Sequence, residues 1–290
     1  MPAEQSLLVA VLGRGLLPRP VPVATADDLG LTRGDGVFES VRVVTAPDGT
    51  STVGQLDEHL ARLSRSFAGI GGPTPDLEAW RRLIDEIVGT WRFTGEAILK
   101  LMITNGPGVL PGSPLGVATM SQMPDEWVSA REGVDVTLLS RGYRSDSFAE
   151  APWLLGGVKT MSYAVNMAAE REATARGVDD VIFTSVDGYL LEAPTSGLVA
   201  YEDGTLVTTP TGATGVLGSI TVDTALDGAD EDGVETSSRL LRPEELETVD
   251  GAWLLDSATG VAPILTVDGA PVRQNPEMTA RLRHWAGFVA

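Results

Sequence analysis

Alternating or continuous runs of apolar residues predict β-strands along the chain, and apolar residues three and four positions apart predict helices. The run "VFESVRVV" alternates and predicts a half-buried strand, "AILKLMIT" predicts a buried one, and "SLLVAVLGRG", "VPVATA" and "VATMSQM" predict further strands. The segment "LDEHLARLSRSF" carries its leucines and phenylalanine on one face and predicts a helix over 56–67. The segment "PDLEAWRRLIDEIVGTW" predicts a second helix, because proline favours helix starts.

The second half of the chain repeats this mixture of strands and helices. It opens with the strand "VDVTLLS" and a helix from Tyr163 to Arg176, followed by two Asp-Gly hairpins, "VIFTSVDGYLLEA" and "GLVAYEDGTLVTT". A short helix at "PEELETVD", the strand "AWLLDS", the hairpin "PILTVDGAPV" and a last helix near Pro276 complete it. The pattern predicts an α/β or α+β fold. We predict a small N-terminal lobe over 1–122, a linker over 123–133 and a larger C-terminal lobe over 134–290.

Composition and charge exclude several classes of function. A net charge of −19 without any Lys/Arg-rich run makes nucleic acid and anionic membranes poor partners. No stretch reaches the ~18 apolar residues of a membrane span, and no basic segment precedes the first apolar run, so we expect a cytoplasmic protein. The chain has no cysteine, and its two histidines, His59 and His284, lie in predicted helices, so we expect no metal site.

Lysine is scarce, and one of the two lysines stands in an unusual place. Lys100 and Lys159 are the only lysines among 21 lysine and arginine residues, and Lys159 follows the apolar segment "WLLGGV". One interpretation is a strand-end lysine whose ammonium group reaches solvent. The other is a Schiff-base lysine, whose pKa an apolar pocket lowers so that the amine becomes nucleophilic. The residues around Lys159 leave both interpretations open.

Three further segments contain residues that could bind a cofactor. Glu192 ends a strand and leads into a Pro/Thr/Ser/Gly turn, where it is either a solvated turn residue or a carboxylate that keeps a pyridine nitrogen protonated. In "GATGVLGSITVDTAL" a glycine-rich turn enters a helix near Ser219, and the N–H groups of such a helix start can bind phosphate. The segment "LLDSATG" adds a hydroxyl-rich turn after a strand.

These segments together resemble the class IV aminotransferases, the pyridoxal-phosphate enzymes of fold type IV. The resemblance covers about residues 28–263 and rests on "GDGVFES", "HLARL", "VKTMSYAVN", "GYLLEAPTSGLV" and "TPTGATGVLGSIT", in the family's order. It implies a two-lobed fold like that of D-amino-acid aminotransferases, with pyridoxal 5′-phosphate as the cofactor. It also implies a homodimer, in which the active site lies between the lobes and a loop of the second subunit completes it.

The resemblance implies a role for each matching residue. Lys159 matches the Schiff-base lysine, which also carries the proton, and Glu192 matches the partner of the pyridine nitrogen. Arg62 matches the phosphate-binding arginine, the alternative being an arginine at the surface. The other cofactor residues that the resemblance implies are Tyr163 beside the cofactor and, at the phosphate, Ser219, Ile220, Thr221 and Ser257.

Three positions depart from the family's pattern. Arg33 precedes "GDG" where the family often has an aromatic or small polar residue, and it could bind a substrate carboxylate. Gly197 replaces an asparagine that commonly follows the glutamate turn, which removes a side-chain donor. Asn105 stands where lyase-like members tend to read "SRG". The substrate contacts that we predict are Arg33, Asn105 and Phe38, which lies in the "GDGVFES" block.

Two reactions fit the resemblance. A lyase would eliminate pyruvate from 4-amino-4-deoxychorismate and leave 4-aminobenzoate, a folate precursor. A transaminase would move the amino group of a D-amino acid or branched-chain amino acid to a keto acid. The strand and loop "ILKLMITNGPG" are closer to the lyases, whereas "GDGVFES" is closer to the aminotransferases. We predict the lyase, with the transaminase as the alternative. A ligand-binding protein without turnover is a third hypothesis, and the lysine, glutamate and arginine argue against it.

Overall fold

The structure is a computed structural model that describes residues 7–18, 21–109 and 113–288. The chain divides into two compact units: Met1–Pro124 with Val158–Tyr163, and Asp125–Gly157 with Ala164–Ala290. This division differs from the predicted one at the segment Val158–Tyr163, because the prediction kept Lys159 in the C-terminal lobe. The segment pairs with a strand of the first unit, and it therefore groups with that unit.

In its described residues, the first unit consists of an antiparallel sheet and three helices. Its strands are β1 (Leu7–Val11), β2 (Gly15–Leu16), β3 (Gly36–Thr45), β4 (Ser51–Val53), β5 (Gly95–Thr104) and β6 (Leu115–Gln122). Within the described residues their order is β2-β1-β6-β5-β3-β4. The helices are α1 (Leu29–Arg33), α2 (Leu56–Gly69) and α3 (Leu77–Thr90). The predicted apolar faces of α2 and α3 are confirmed: Leu60, Phe67 and Trp80 are completely buried in one core with the sheet.

The second unit contains a mixed sheet and four α-helices, counted over the described part of the chain. Its strands are β7 (Val134–Ser140), β8 (Asp180–Thr184), β9 (Gly197–Glu202), β10 (Thr205–Thr208), β11 (Glu235–Ser238), β12 (Gly251–Asp256), β13 (Gly260–Val267) and β14 (Ala270–Pro271). Their order is β11-β10-β9-β12-β13-β7-β8, and β14 pairs with β13. The helices are α4 (Asp125–Ser129), α5 (Ala164–Arg176), α6 (Ile220–Glu231) and α7 (Pro276–Trp285). Helices α6 and α7 share a core with the sheet around Trp253 and Leu282.

The local predictions are only partly confirmed. The segment "VPVATA" forms no strand, and its Pro22 has no N–H group to give to a sheet. The short helix predicted at "PEELETVD" is present, as a 3₁₀ helix over Pro243–Glu247. Ser6, at which the first predicted strand begins, and residues 110–112 of the glycine- and proline-rich loop lie outside the described residues.

The mixture of helices and strands confirms the predicted α+β class. In the parts of the chain that the structure describes, none of the helices has the length and apolar character that crossing a membrane requires.

Candidate active site

The segment that carries Lys159 lies along the start of β3, to which it is joined by a single β-bridge between Val37 and Thr160. The Phe38 N–H donates to the Lys159 carbonyl (3.1 Å), and the Met161 N–H donates to the Gly36 carbonyl (2.7 Å). On the other side, the Lys159 N–H donates to Ser66 Oγ on α2 (3.2 Å). Both backbone groups of Lys159 are therefore bonded within the first unit, which fixes the point from which its side chain extends.

The glycines of "GDG" make this close pairing possible. Gly34 ends α1 with a φ of 70°, the left-handed region that glycine enters without strain. A Cβ atom on Gly34 would lie 2.7 Å from Ser162 Oγ. A Cβ atom on Gly36 would lie 2.6 Å from Met161 Sδ and 2.9 Å from the Ile103 carbonyl oxygen. Both glycines are thus required where the lysine segment approaches β3.

Both lysines of the chain lie near the ring of Phe38. Lys159 Nζ is 4.8 Å from the ring centroid, and Lys100 Nζ is 5.6 Å from it, within the range of cation–π attraction. Tyr163 packs edge-on against the same ring, with 5.2 Å between the centroids and 85° between the planes. The structure therefore brings together three predicted site residues, Phe38, Lys159 and Tyr163.

Lys100 belongs to this group although the sequence did not single it out as a site residue. It lies on β5 opposite Ser40, and it therefore shares a sheet face with Phe38, two residues away. The scarcity of lysine pointed to Lys100, but only the register of β3 with β5 shows that it lies near Phe38.

Arg62 forms a buried ion pair with Glu39. Arg62 Nε donates to Glu39 Oε1 (2.8 Å), and Arg62 Nη2 donates to Glu39 Oε2 (2.7 Å). Arg62 is only 6% exposed and Glu39 is 0% exposed, so the alternative of a surface arginine is wrong. Its role at a phosphate stays a prediction.

His59 completes this cluster, which we call the Glu39 network: Glu39, His59 and Arg62. His59 Nδ1 lies 2.7 Å from Glu39 Oε2, and the histidine is 1% exposed. Burial by itself would raise the pKa of Glu39, but the hydrogen bonds and charges of Arg62 and His59 outweigh burial and hold this pKa below 4.5. Glu39 is therefore a carboxylate at neutral pH.

Glu192 belongs to the second unit, where its carboxylate is bonded to a turn. Its Oε2 accepts the Leu217 N–H (3.1 Å), and its carbonyl accepts the Phe183 N–H of β8 (2.9 Å). Leu217 belongs to the glycine-rich turn that leads into α6. The structure thus joins the predicted pyridine partner to the predicted phosphate-binding turn.

The first turn of α6 and the turn after β12 bring two hydroxyl groups together. Thr221 Oγ1 lies 3.1 Å from Ser257 Oγ. The N–H groups of Ile220 and Thr221 stand at the start of the helix, where an α-helix supplies no acceptor of its own. Ser219 is the N-cap, and its Oγ accepts the Val222 N–H (3.3 Å). Such a helix start with adjacent hydroxyls fits an anion such as a phosphate.

Packing explains why residue 197 is glycine. A Cβ atom on Gly197 would lie 2.8 Å from Val222 Cγ2 and 3.3 Å from Ser219 Cβ. The start of β9 therefore lies against the start of α6 with no space for an asparagine side chain. The missing side chain lets these two elements approach closely.

Two predicted substrate contacts, Arg33 and Asn105, are not part of the group at Phe38. Arg33 is exposed at the end of α1. Asn105 Nδ2 donates to Asp35 Oδ2 (2.9 Å) and more weakly to the Ile70 carbonyl (3.4 Å), so these bonds hold the loop around "GDG". A substrate role for either residue stays a prediction.

Comparison with known proteins identifies relatives along nearly the whole chain. Residues 36–267 match the family model described as amino-transferase class IV. The bifunctional aminodeoxychorismate lyase / D-amino acid transaminase of Mycobacterium tuberculosis is 34% identical over 278 residues, which are 93% of this chain and 94% of the relative. A fold IV transaminase from Curtobacterium pusillum is 35% identical, with a TM-score of 0.89 over 98% of this chain and 100% of its own.

Solved structures of a hypothetical aminotransferase from Mycobacterium tuberculosis are similar too. The PLP-bound form is 34% identical with a TM-score of 0.91, and the form with α-ketoglutarate and PMP bound is 35% identical with a TM-score of 0.90. Each alignment covers 96% of this chain and 98% of the other. These matches confirm the predicted family, the type IV fold and the predicted cofactor, pyridoxal 5′-phosphate.

Proposed function

Because the chain belongs to the class IV aminotransferase family and is a pyridoxal-phosphate-dependent enzyme, we propose that it is a D-amino-acid transaminase with a keto-acid acceptor. The observation that carries this proposal is the group at Phe38, in which Lys159 has a fixed backbone and its amine lies 4.8 Å from the aromatic ring. The relative that is both a lyase and a D-amino acid transaminase supports the D-specific choice.

The residues present fit the cofactor, and we propose how they hold it. The paired hydroxyls and the helix start at Thr221 and Ile220, with Ser257, suit a phosphate, and Arg62 would add a positive charge. Glu192 would accept a hydrogen bond from the pyridine nitrogen, and Tyr163 would pack beside the cofactor. When bound, the cofactor withdraws electrons from the substrate carbon that carries the amino group.

Lys159 would supply the acid–base chemistry. Its neutral amine takes the proton from the amine-bearing carbon and returns a proton later in the reaction, so it acts first as a base and then as an acid. The bonds to Phe38 and Ser66 fix its backbone, so that only the side chain has to move between these positions. As a carboxylate, Glu192 would keep the pyridine nitrogen protonated.

A donor panel tests this proposal. The purified holoenzyme is incubated with 2-oxoglutarate and a series of D- and L-amino acids, and the glutamate formed is measured. We expect turnover with D-amino acids and a loss of at least about 10³-fold in Lys159→Ala, which lacks the base. Turnover with L-amino acids alone would reject the D-specific assignment, and full activity of Lys159→Ala would reject the catalytic role of this lysine.

The lyase reaction is the second candidate, and two observations favour it. The Mycobacterium tuberculosis relative carries aminodeoxychorismate lyase in its name, and the "ILKLMITNGPG" strand and loop resemble lyase-type members. The enzyme would then release pyruvate and 4-aminobenzoate, a folate precursor. Formation of 4-aminobenzoate from 4-amino-4-deoxychorismate, followed by its fluorescence, tests this activity. Turnover of both substrate classes would assign both reactions to one site.

We also propose a cytoplasmic homodimer, on the strength of the family resemblance and the composition. Light scattering coupled to size exclusion should give about twice the 30.5 kDa of one chain. A mass of one chain at micromolar concentration would contradict the dimer. The substrates would be small amino acids or amines and keto acids.

A further inference from the structure

The Glu39 network lies between β3 and α2, and its three members are almost completely buried. Both oxygens of the carboxylate are occupied: Oε1 accepts a bond from Arg62, and Oε2 lies within hydrogen-bonding distance of both Arg62 and His59. Glu39 therefore contacts the guanidinium through two parallel bonds, the arrangement with the most defined geometry.

Stability alone is a weak reason for such a network. Removing two charged groups from water costs about as much as their attraction returns, and apolar residues of similar size often stabilise a core equally well. A buried ion pair does fix the orientation of its members. Glu39 holds Nε and Nη2 of Arg62, so the plane of the guanidinium is set and its other N–H groups keep fixed directions.

We propose that Glu39 is a positioning residue that orients Arg62 toward the phosphate of the cofactor. This inference rests on the proposed role of Arg62 at that phosphate. A long arginine side chain has many conformers, and the carboxylate removes this freedom before the cofactor binds. Glu39 also offsets the charge of Arg62, so the buried guanidinium is stable in the cofactor-free enzyme.

His59 has a supporting part in this arrangement. Its Nε2 is buried and has no hydrogen-bond partner among the described residues. His59 Nδ1 lies 2.7 Å from Glu39 Oε2, so the ring helps to fix the second carboxylate oxygen that Arg62 contacts.

The test compares two ligands that differ only in the phosphate. Cofactor-free protein is titrated with pyridoxal 5′-phosphate and with pyridoxal, and the two dissociation constants are measured from absorbance. In Glu39→Gln we expect the affinity for pyridoxal 5′-phosphate to fall about 10- to 100-fold, by analogy with the loss of a residue that orients a metal ligand. The affinity for pyridoxal should change less than about threefold.

A second ion pair in the same sheet supplies the control. Arg42 Nε on β3 donates to Glu96 Oε2 on β5 (2.8 Å), and neither residue is a predicted site residue. Glu96→Gln should leave the ratio of the affinity for pyridoxal 5′-phosphate to the affinity for pyridoxal unchanged. Melting temperatures of all variants separate a loss of fold from a loss of phosphate binding.

The possible results separate a failure of the inference about Glu39 from a failure of the proposed role of Arg62. If Glu39→Gln weakens both ligands equally, Glu39 is structural and the inference is overturned. If Arg62→Lys lowers the ratio but Glu39→Gln does not, the role of Arg62 stands and the inference fails. If Arg62→Lys leaves the ratio unchanged, the proposed role of Arg62 is rejected. Should Glu39→Gln not fold, Glu39→Asp replaces it, and an unchanged ratio in that variant overturns the inference.

Discussion

Asp180, at the start of β8, is a carboxyl group that burial and other carboxyl groups keep from ionising. Its pKa is raised from 3.8 to about 7, and burial is the largest cause. The hydrogen bond from the Val181 N–H acts against this increase, whereas the charges of Asp256, Glu170 and Asp179 contribute to it. The folded protein therefore keeps this proton up to about pH 7, whereas the unfolded chain releases it near pH 3.8. The free energy of unfolding consequently falls as the pH rises through this interval.

Asp180→Asn removes this dependence because asparagine does not ionise. We expect the variant to gain free energy of unfolding relative to the wild type at pH 8, by up to about 4 kcal/mol, since one pKa unit corresponds to about 1.4 kcal/mol. The gain should be much smaller at pH 5. Urea unfolding at both pH values measures it, with Asp227→Asn on the exposed side of α6 as the control. Equal differences at the two pH values would contradict the prediction.

Individual site residues could be predicted from the sequence to different extents. Lys159 stood out because lysine is rare, whereas its neighbour Lys100 required the register of β3 with β5. The sequence position of Glu39 predicts that this residue is buried with a partner. It alternates with Val37 and Val41 on the buried side of β3, where a charged residue needs a partner.

At the scale of elements, the "GDG" turn determines where the lysine segment lies. Gly36 faces Met161 Sδ and the Ile103 carbonyl oxygen, which leave no space for a methyl group. Gly36→Ala should therefore shift the lysine segment away from β3, lower the free energy of unfolding by about 1–3 kcal/mol and reduce kcat.

Gly89 in α3 provides the matched control for this substitution. A Cβ atom there meets nothing within 4 Å and the residue is exposed, so Gly89→Ala should keep full activity and stability. Urea unfolding and steady-state kinetics measure both variants. Wild-type kcat in Gly36→Ala would show that the close pairing does not matter for catalysis.

Several elements were predictable because their residues follow a clear period. Helix α2 was predicted over 56–67 from its apolar face, and it spans Leu56–Gly69. The reason for Gly197 could not be predicted, because it depends on β9 packing against the start of α6, two elements separated in sequence. The strand predicted at "VPVATA" was wrong because composition alone does not supply a neighbouring strand.

At the scale of the whole molecule, the order of the motifs predicted the family and the α+β fold, and both are confirmed. The grouping of Val158–Tyr163 with the first unit was not predicted. That grouping rests on pairing between residues more than 100 positions apart, and local periodicity contains no information about such pairs.

The measurement that tests the central claim most directly is a single-turnover experiment without a keto-acid acceptor. The holoenzyme is mixed separately with the D and L forms of alanine and of a series of other amino acids, and the absorbance band that we assign to the cofactor bound at Lys159 is followed. We predict that D-alanine removes this band in one turnover and that L-alanine leaves it unchanged, with no such band in Lys159→Ala. A band that persists with every D- and L-amino acid tested would contradict the transaminase assignment, and loss of the band only with L-amino acids would contradict the D-specific one.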